Sequence, residues 1–175
     1  MKYPIGIQSF REIREGGYVY VDKTRQIYNL VSEGKYFFLS RPRRFGKSLL
    51  LSTLYELYTG HEALFRDLWI HAHWDWQAAQ RPVIWLRFSK MDYEGKGLEA
   101  ALLQEIRRIA KHLGLELPED TLKSSFYELL KLASEEYKAV LLIDEYDKPI
   151  IDFLDDTPQA EANRDVLKNF YSVLK

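Results

Sequence analysis

A glycine-lysine-serine turn between an apolar run and a helical segment constrains the fold more than any other feature of this sequence. The apolar run is KYFFLS (35–40), the turn is SRPRRFGKS (40–48), and KSLLLSTLYELYTG (47–60) has a helical pattern that ends at a glycine. A buried strand that leads into a tight turn and then a helix brings backbone N–H groups and the helix dipole to one point. The sequence therefore predicts an anion-binding loop within an α/β fold.

The loop departs from the usual spacing G-x-x-x-x-G-K-[ST] at its first position, which is Arg41. The first glycine mainly serves the geometry at the start of the turn, whereas the amides that face phosphate come from about Arg44 to Ser48. Gly46 stands where a side chain would collide with phosphate, and Pro42, which lacks an N–H, lies too early to be an essential donor. We therefore predict a reshaped loop that still holds phosphate.

The chemistry of a bound triphosphate assigns a role to the residues that follow the turn. Lys47 reaches the β- and γ-phosphates, and the Ser48 hydroxyl ligates Mg²⁺. The arginines at positions 41, 43 and 44 form a local cationic patch with Lys47. One or two of these side chains would steady the γ-phosphate or an acidic neighbour, and contact with nucleic-acid phosphates is the alternative. The predicted cofactor-binding residues are Arg43, Arg44, Phe45, Gly46, Lys47, Ser48 and Leu49.

A second apolar run, AVLLIDEYD (139–147), ends in carboxylates. A parallel strand that is buried on both faces has such a continuous apolar sequence, and ligands bind at the carboxyl ends of parallel strands. In a phosphate-loop ATPase the first acid, here Asp144, holds Mg²⁺ through water, and the second, Glu145, is the general base. Glu145 and Lys47 are thus the predicted catalytic residues, and Ser48 and Asp144 are the predicted metal ligands. The alternative is that these acids are only solvated residues at the end of a strand, with no role in catalysis or metal binding.

The remaining segments alternate between strand and helix patterns. The predicted strands are 18–24, 82–89 and 138–144, and the predicted helices are 25–34, 98–114, 119–133 and 158–174. Thr157 is the predicted N-cap of the last helix, with Pro158 at its first position. This order indicates a mainly parallel sheet with helices on its faces.

Composition narrows the class of protein. The chain has 175 residues, which suits one domain, and its net charge of −1 excludes a basic field over the whole molecule. It contains no cysteine, which excludes a disulfide framework and a cysteine metal site. The longest apolar run, 139–143, is too short to cross a bilayer, and the first thirty residues lack the apolar core of a signal peptide. We therefore expect a cytoplasmic protein with no membrane contact.

Four stretches of the sequence together closely resemble the AAA-ATPase-like family. They are FREIREGGYVYVDKT, FFLSRPRRFGKSLLLSTLYELYTG, ALFRDLWI and AVLLIDEYDKPI, and they extend from Phe10 to Ile150. The resemblance implies a P-loop ATPase-like domain, a three-layer α/β sandwich that uses ATP and Mg²⁺. It also implies that the arginine at position 41 is a family trait, because RPRRFGKS is the family's form of the loop. YVDKT (20–24) is similar to the family's N-terminal signature, although the role of its side chains stays open.

Members of this family usually continue with further sheet strands, and many add a nuclease-like domain of the PD-(D/E)XK superfamily. The sequence supplies neither, nor a polar sensor residue on a strand after the acidic one. We therefore expect residues 1–175 to be the N-terminal portion of the P-loop domain, truncated after the acidic (Walker B) strand and one helix. Strands 35–40 and 138–144 would then either leave a gap between them or pair directly. Both arrangements predict weak nucleotide binding and slow hydrolysis.

The resulting functional hypothesis is a domain that binds ATP with Mg²⁺ and belongs to an ATP hydrolase. Two alternatives stay open: a regulatory or DNA-binding module with little hydrolysis, and an inactive fragment. The expected partners are a nucleotide, DNA through a fused or separate nuclease-like region, and a second copy of the chain.

Overall fold

The computed structural model describes residues 1–118 and 121–174. The fold is α/β and mostly helical, and it divides into two compact units, residues 1–83 and residues 84–175. None of the helices formed by the described residues combines the length and the apolar composition that crossing a bilayer requires.

The first unit is helical. Its elements are α1 (Phe10–Glu15), α2 (Thr24–Glu33), α3 (Lys47–Tyr58) and two 3₁₀ turns, Glu62–Phe65 and Trp69–Ala72. The predicted helices 25–34 and 47–60 are thereby confirmed. Glycine follows each of them, and at Gly60 the backbone has φ +79°, a conformation in which glycine ends a helix without strain.

Helix α1 fixes the position of α3. The Phe10 N–H donates to Ser52 Oγ at 2.9 Å, and the Arg11 guanidinium donates to both carboxylate oxygens of Glu56, at 3.2 and 2.7 Å. Ser52 and Glu56 are buried, so these hydrogen bonds satisfy polar groups that would otherwise cost free energy in the interior. The helix that begins at Lys47 is therefore held along its length by specific contacts.

The prediction of a strand at 18–24 is wrong. Residues 18–23 form no strand, and Thr24 is already the first residue of α2. The Asp22 carboxylate accepts hydrogen bonds from the Thr24 N–H, the Thr24 hydroxyl and the Trp69 N–H, at 2.8, 2.7 and 2.8 Å. The buried Thr24 Oγ1 also accepts from the Ile70 N–H at 3.1 Å. Side chains of YVDKT thus bind backbone groups of the segment 69–70, instead of pairing in a sheet.

These hydrogen bonds also decide the ionisation of Asp22. Burial alone would raise the pKa of this carboxyl, but the hydrogen bonds from Trp69 and Thr24 outweigh that effect and hold the pKa below its usual value. The carboxylate is therefore charged at neutral pH, as an acceptor of three hydrogen bonds must be.

The prediction of a buried strand at 35–40 is also wrong. These residues form no strand, and the aromatic side chains of the run are exposed, with Tyr36 at 84% and Phe38 at 73%. A strand needs a neighbour to satisfy its backbone, and the sheet formed by the described residues contains two strands, both outside this segment. Consequently neither of the two expected arrangements with strand 138–144 is observed.

The second unit carries the sheet. The elements that follow the first unit are β1 (Val83–Arg87), a 3₁₀ turn (Phe88–Lys90), α4 (Tyr93–Lys96), α5 (Leu98–His112), α6 (Leu122–Ala133), β2 (Val140–Asp144), α7 (Lys148–Ile151), α8 (Thr157–Tyr171) and a last 3₁₀ turn (Ser172–Leu174). Strands β1 and β2 pair in parallel. The predictions of strands at 82–89 and 138–144 and of the three helices are confirmed. Glu119 and Asp120, the start of the predicted helix 119–133, lie outside the described residues.

The core of the second unit lies between the sheet and three helices. The predicted stripe of α5 is buried from Leu98 to Ile109, while Leu113 is partly buried. Phe126 of α6 and Phe170 of α8 are fully buried and stack with ring centroids 4.2 Å apart. The other buried members of this core include Ile84, Leu86, Phe88, Leu129 and Leu167.

Helix α8 begins one residue earlier than predicted, at Thr157. Asp156, not Thr157, is the N-cap, because its carboxylate accepts from the Gln159 N–H at 3.2 Å. Further along, the buried Asn163 donates from Nδ2 to the Pro149 carbonyl at 2.7 Å. This bond attaches α7 to α8 directly after the acidic end of β2.

Candidate functional site

The glycine-lysine-serine loop bends later in the sequence than the standard spacing implies. Arg44 has φ +68° and Gly46 has φ +77°, whereas Arg41, which replaces the usual first glycine, is not among the residues with positive φ. An arginine is therefore tolerated at position 41 without backbone strain, because the left-handed turns are made by residues 44 and 46.

Gly46 forms the junction between the loop and α3. It is the N-cap residue and provides no side-chain cap, so the N–H groups of the first turn, Lys47 to Leu49, have no partner one turn back in the helix. A Cβ at this position would meet no protein atom within 4 Å, so the left-handed backbone is what favours glycine. Unpaired N–H groups at the positive end of a helix dipole are suited to an anion.

The Lys47 side chain folds back over the loop. Its ammonium donates to the Arg41 carbonyl at 2.5 Å and to the Pro42 carbonyl at 3.3 Å. Arg41 thus contributes its backbone oxygen to this contact, and its side chain is exposed. The flanking loop residues are also exposed, so the cationic groups predicted to bind phosphate lie at the surface.

We predict that Arg41→Gly changes the affinity for ATP by less than about tenfold, which corresponds to roughly 1.4 kcal/mol. The contact that Arg41 makes with Lys47 uses the carbonyl, which the substitution keeps, and glycine also adopts the backbone conformation of this position. Isothermal titration calorimetry with Mg²⁺-ATP measures the effect. Complete loss of binding would show that the Arg41 side chain is a ligand.

The acidic end of β2 forms the second candidate group. Asp144 is the last residue of the strand and is buried, with 8% of its surface exposed. Glu145 is exposed and has φ +55°, a conformation that non-glycine residues adopt rarely and that costs free energy. This bend directly follows the last residue of the strand.

A polar network that the sequence did not reveal holds the segment after these acids. The buried Tyr93 hydroxyl donates to the Asp152 carboxylate, which also accepts from Lys148 Nζ at 2.5 Å. Burial raises the pKa of Tyr93 well above its usual value, and the hydrogen bond to Asp152 and the charge of that carboxylate raise it further. The i, i+4 spacing of Lys148 and Asp152 is visible in the sequence and indicates an ion pair on a helix. No feature of the sequence indicates that Tyr93 contacts Asp152.

The predicted site residues fall into two groups. Residues 43–49 belong to the first unit, and Asp144 and Glu145 belong to the second. Within the described residues, no three His, Asp or Glu side chains are grouped as a metal site. Mg²⁺ usually keeps several waters and takes one or two protein carboxylates together with phosphate oxygens, so a buried carboxylate and a serine hydroxyl are suitable donors.

Comparisons with known proteins identify the family. Residues 4–175 match the family AAA-ATPase_like, which is described as "Predicted AAA-ATPase". The chain belongs to the AAA-ATPase-like family. The resemblance of the four sequence stretches is thereby confirmed, and family membership implies a P-loop fold and the use of a nucleotide.

A relative of this AAA-ATPase-like chain is described as an uncharacterized protein in the vnfD 5' region of Azotobacter chroococcum mcd 1. The two sequences are 44% identical over 183 aligned positions, which cover 99% of this chain and 34% of the relative. The chain therefore spans about one third of the length of that protein. No solved structure matches the chain.

Proposed function

We propose that this chain binds ATP with Mg²⁺ as part of a three-layer P-loop domain to which residues 1–175 contribute, and that the complete protein hydrolyses ATP. The observation that carries the proposal is the uncapped N-terminus of α3, which follows two left-handed loop residues and begins with Lys47 and Ser48. Backbone N–H groups and an ammonium at one point are the groups that recognise a polyphosphate. Residues 43–49 would form the nucleotide contacts.

Each group would contribute one part of the chemistry. Lys47 would neutralise phosphate charge, and the Ser48 hydroxyl and the Asp144 carboxylate would hold Mg²⁺. When bound, Mg²⁺ would supply positive charge to the phosphate oxygens. Glu145 would accept a proton from the attacking water, and its exposed carboxylate at a strand end is available for that role.

A second candidate function has one specific observation in its favour. The side chains of Arg41, Arg43 and Arg44 are exposed on the loop, where they could contact the phosphates of DNA instead of those of a nucleotide. Binding to duplex DNA would weaken steeply as the salt concentration rises. The slope of log affinity against log salt concentration is roughly proportional to the number of phosphates contacted. Parallel titrations with Mg²⁺-ATP and with duplex DNA at several salt concentrations separate the two functions.

We expect Asp144→Asn to reduce the dependence of ATP affinity on Mg²⁺, with Ser48 left as the other proposed metal ligand. In the unsubstituted protein Mg²⁺ should tighten ATP binding about tenfold or more, because the metal joins phosphate oxygens to the carboxylate. In the asparagine variant Mg²⁺ should have a much smaller effect on ATP affinity than in the unsubstituted protein. Titration of ATP in the presence of Mg²⁺ or of a chelator measures the difference.

Asp147→Asn is a matched control for this measurement. Asp147 lies in the same acidic segment, and its side chain does not cap α7 although the residue is the N-cap. The Asp147→Asn variant should retain the full effect of Mg²⁺ on ATP affinity. Retention of that effect in Asp144→Asn would contradict the assignment of Asp144 as a metal ligand.

A further inference from the structure

The sheet in the second unit places two charged residues on the face that lies away from the helical core. On one face, Ile84 and Leu86 of β1 and Ile143 of β2 pack against the helical core. Side chains alternate along a strand, so Arg87 and Asp144 lie together on the opposite face. Each is the last residue of its strand, and because the strands are parallel, both lie at the same carboxyl edge.

Arg87 stacks on an aromatic ring and forms no ion pair with the residues that the structure describes. Its guanidinium lies over the Trp85 ring, 4.5 Å from the ring centroid, and its buried Nε has no hydrogen-bond partner among the described residues. It takes part in none of the ion pairs that these residues form. A buried donor without an acceptor is costly, so its retention calls for an explanation such as a bound ligand.

We propose that Arg87 binds a phosphate oxygen of the Mg²⁺-nucleotide, next to the metal that Asp144 holds. This inference rests on the proposed function. A guanidinium presents a planar set of donors that matches phosphate geometry, and stacking on Trp85 fixes its direction. Neighbouring strands are about 4.8 Å apart, so a cation on the same face and edge as the metal carboxylate lies within reach of the phosphates that accompany the metal.

The test compares Arg87→Met, which keeps most of the side-chain volume without the charge, with Arg87→Lys, which keeps the charge without the planar donors. Arg107→Met, an exposed arginine on α5, is the matched control. Calorimetry with Mg²⁺-ATP should show affinity about tenfold or more weaker in Arg87→Met, a smaller loss in Arg87→Lys, and a change below about twofold in the control. The thermal midpoint of Arg87→Met should not fall, because the substitution removes an unsatisfied buried donor.

Two outcomes would overturn the inference. The first is that Arg87→Met keeps its affinity for Mg²⁺-ATP while Lys47→Ala and Asp144→Asn both lose affinity. This result would contradict the role of Arg87 and leave the proposed function intact. The other is loss of duplex-DNA binding in Arg87→Met with Mg²⁺-ATP affinity retained, which would assign the residue to nucleic acid. If Lys47→Ala and Asp144→Asn bind like the unsubstituted protein, the proposed function fails, and this inference fails with it.

Discussion

Replacing Lys47 with alanine is expected to weaken binding of Mg²⁺-ATP at least about a hundredfold, or roughly 2.7 kcal/mol. The lysine is the first residue of α3, and its ammonium lies against two carbonyls of the loop that precedes the helix. A charged hydrogen bond to phosphate contributes about 1.5–3 kcal/mol, and the ammonium would supply more than one. Isothermal titration calorimetry on the 175-residue protein measures the loss.

The fold should survive this substitution. Lys47 is only partly buried, and the carbonyls of Arg41 and Pro42 that it contacts belong to exposed residues, so water can replace the ammonium. Lys35→Ala removes another lysine just before the loop and should leave affinity within about twofold, because an exposed charge outside the site has a small effect. Equal affinity of Lys47→Ala and the unsubstituted protein would contradict the phosphate-loop assignment.

The helices were predictable because their signals are local. In α5, apolar residues recur at helical spacing and are the residues that the structure buries, and Gly114 with φ +72° follows the helix. Helix α3 was predictable from its ends, because it begins at the lysine of the motif and ends shortly before Gly60, although the residues it buries include the polar Ser52 and Glu56. Helix hydrogen bonds join residues four positions apart, so the sequence of a segment contains most of the information that determines it.

The strands were less predictable because pairing depends on distant segments. The run at 35–40 has an apolar character similar to that of the run at 140–144, yet the latter pairs with β1, whereas the former is exposed and forms no strand. Composition indicates that a segment suits a sheet but not which strand will lie beside it. The segment 18–23 illustrates another cause, because the Asp22 carboxylate binds N–H groups of residues 24 and 69 by side-chain contacts that no periodicity reveals.

The same distinction applies to the candidate site. Lys47, Ser48, Asp144 and Glu145 were selected because motif spacing and a strand end are visible in the sequence. Arg87, Tyr93 and Asn163 were not selected from the sequence. Each of them acts together with a residue that is distant in sequence or lies on a neighbouring strand. Partners of this kind are determined by tertiary packing, so only the structure could reveal them.

Phe170→Ala is expected to destabilise the second unit by about 3–5 kcal/mol. The ring is fully buried, stacks on Phe126 and belongs to the core that joins α5, α6 and α8. Alanine would remove most of the buried apolar surface and leave a cavity that close-packed neighbours fill only in part. Because α8 also carries Asn163, which anchors α7 after the acidic strand end, loss of this packing should loosen the segment that follows Glu145.

Urea unfolding followed by circular dichroism gives the change in unfolding free energy, and hydrogen exchange of α5 and α6 locates it in the second unit. Tyr127→Ala is the matched control, because this aromatic residue is next to Phe126 on α6 but 57% exposed, and the substitution should lower the free energy of unfolding by less than about 0.5 kcal/mol.

A double-mutant cycle with Phe126→Leu and Phe170→Leu should give a coupling energy of about 0.5–1.5 kcal/mol for the stacked rings. A loss below about 1 kcal/mol in Phe170→Ala would mean that this aromatic pair is not part of the folded core in solution.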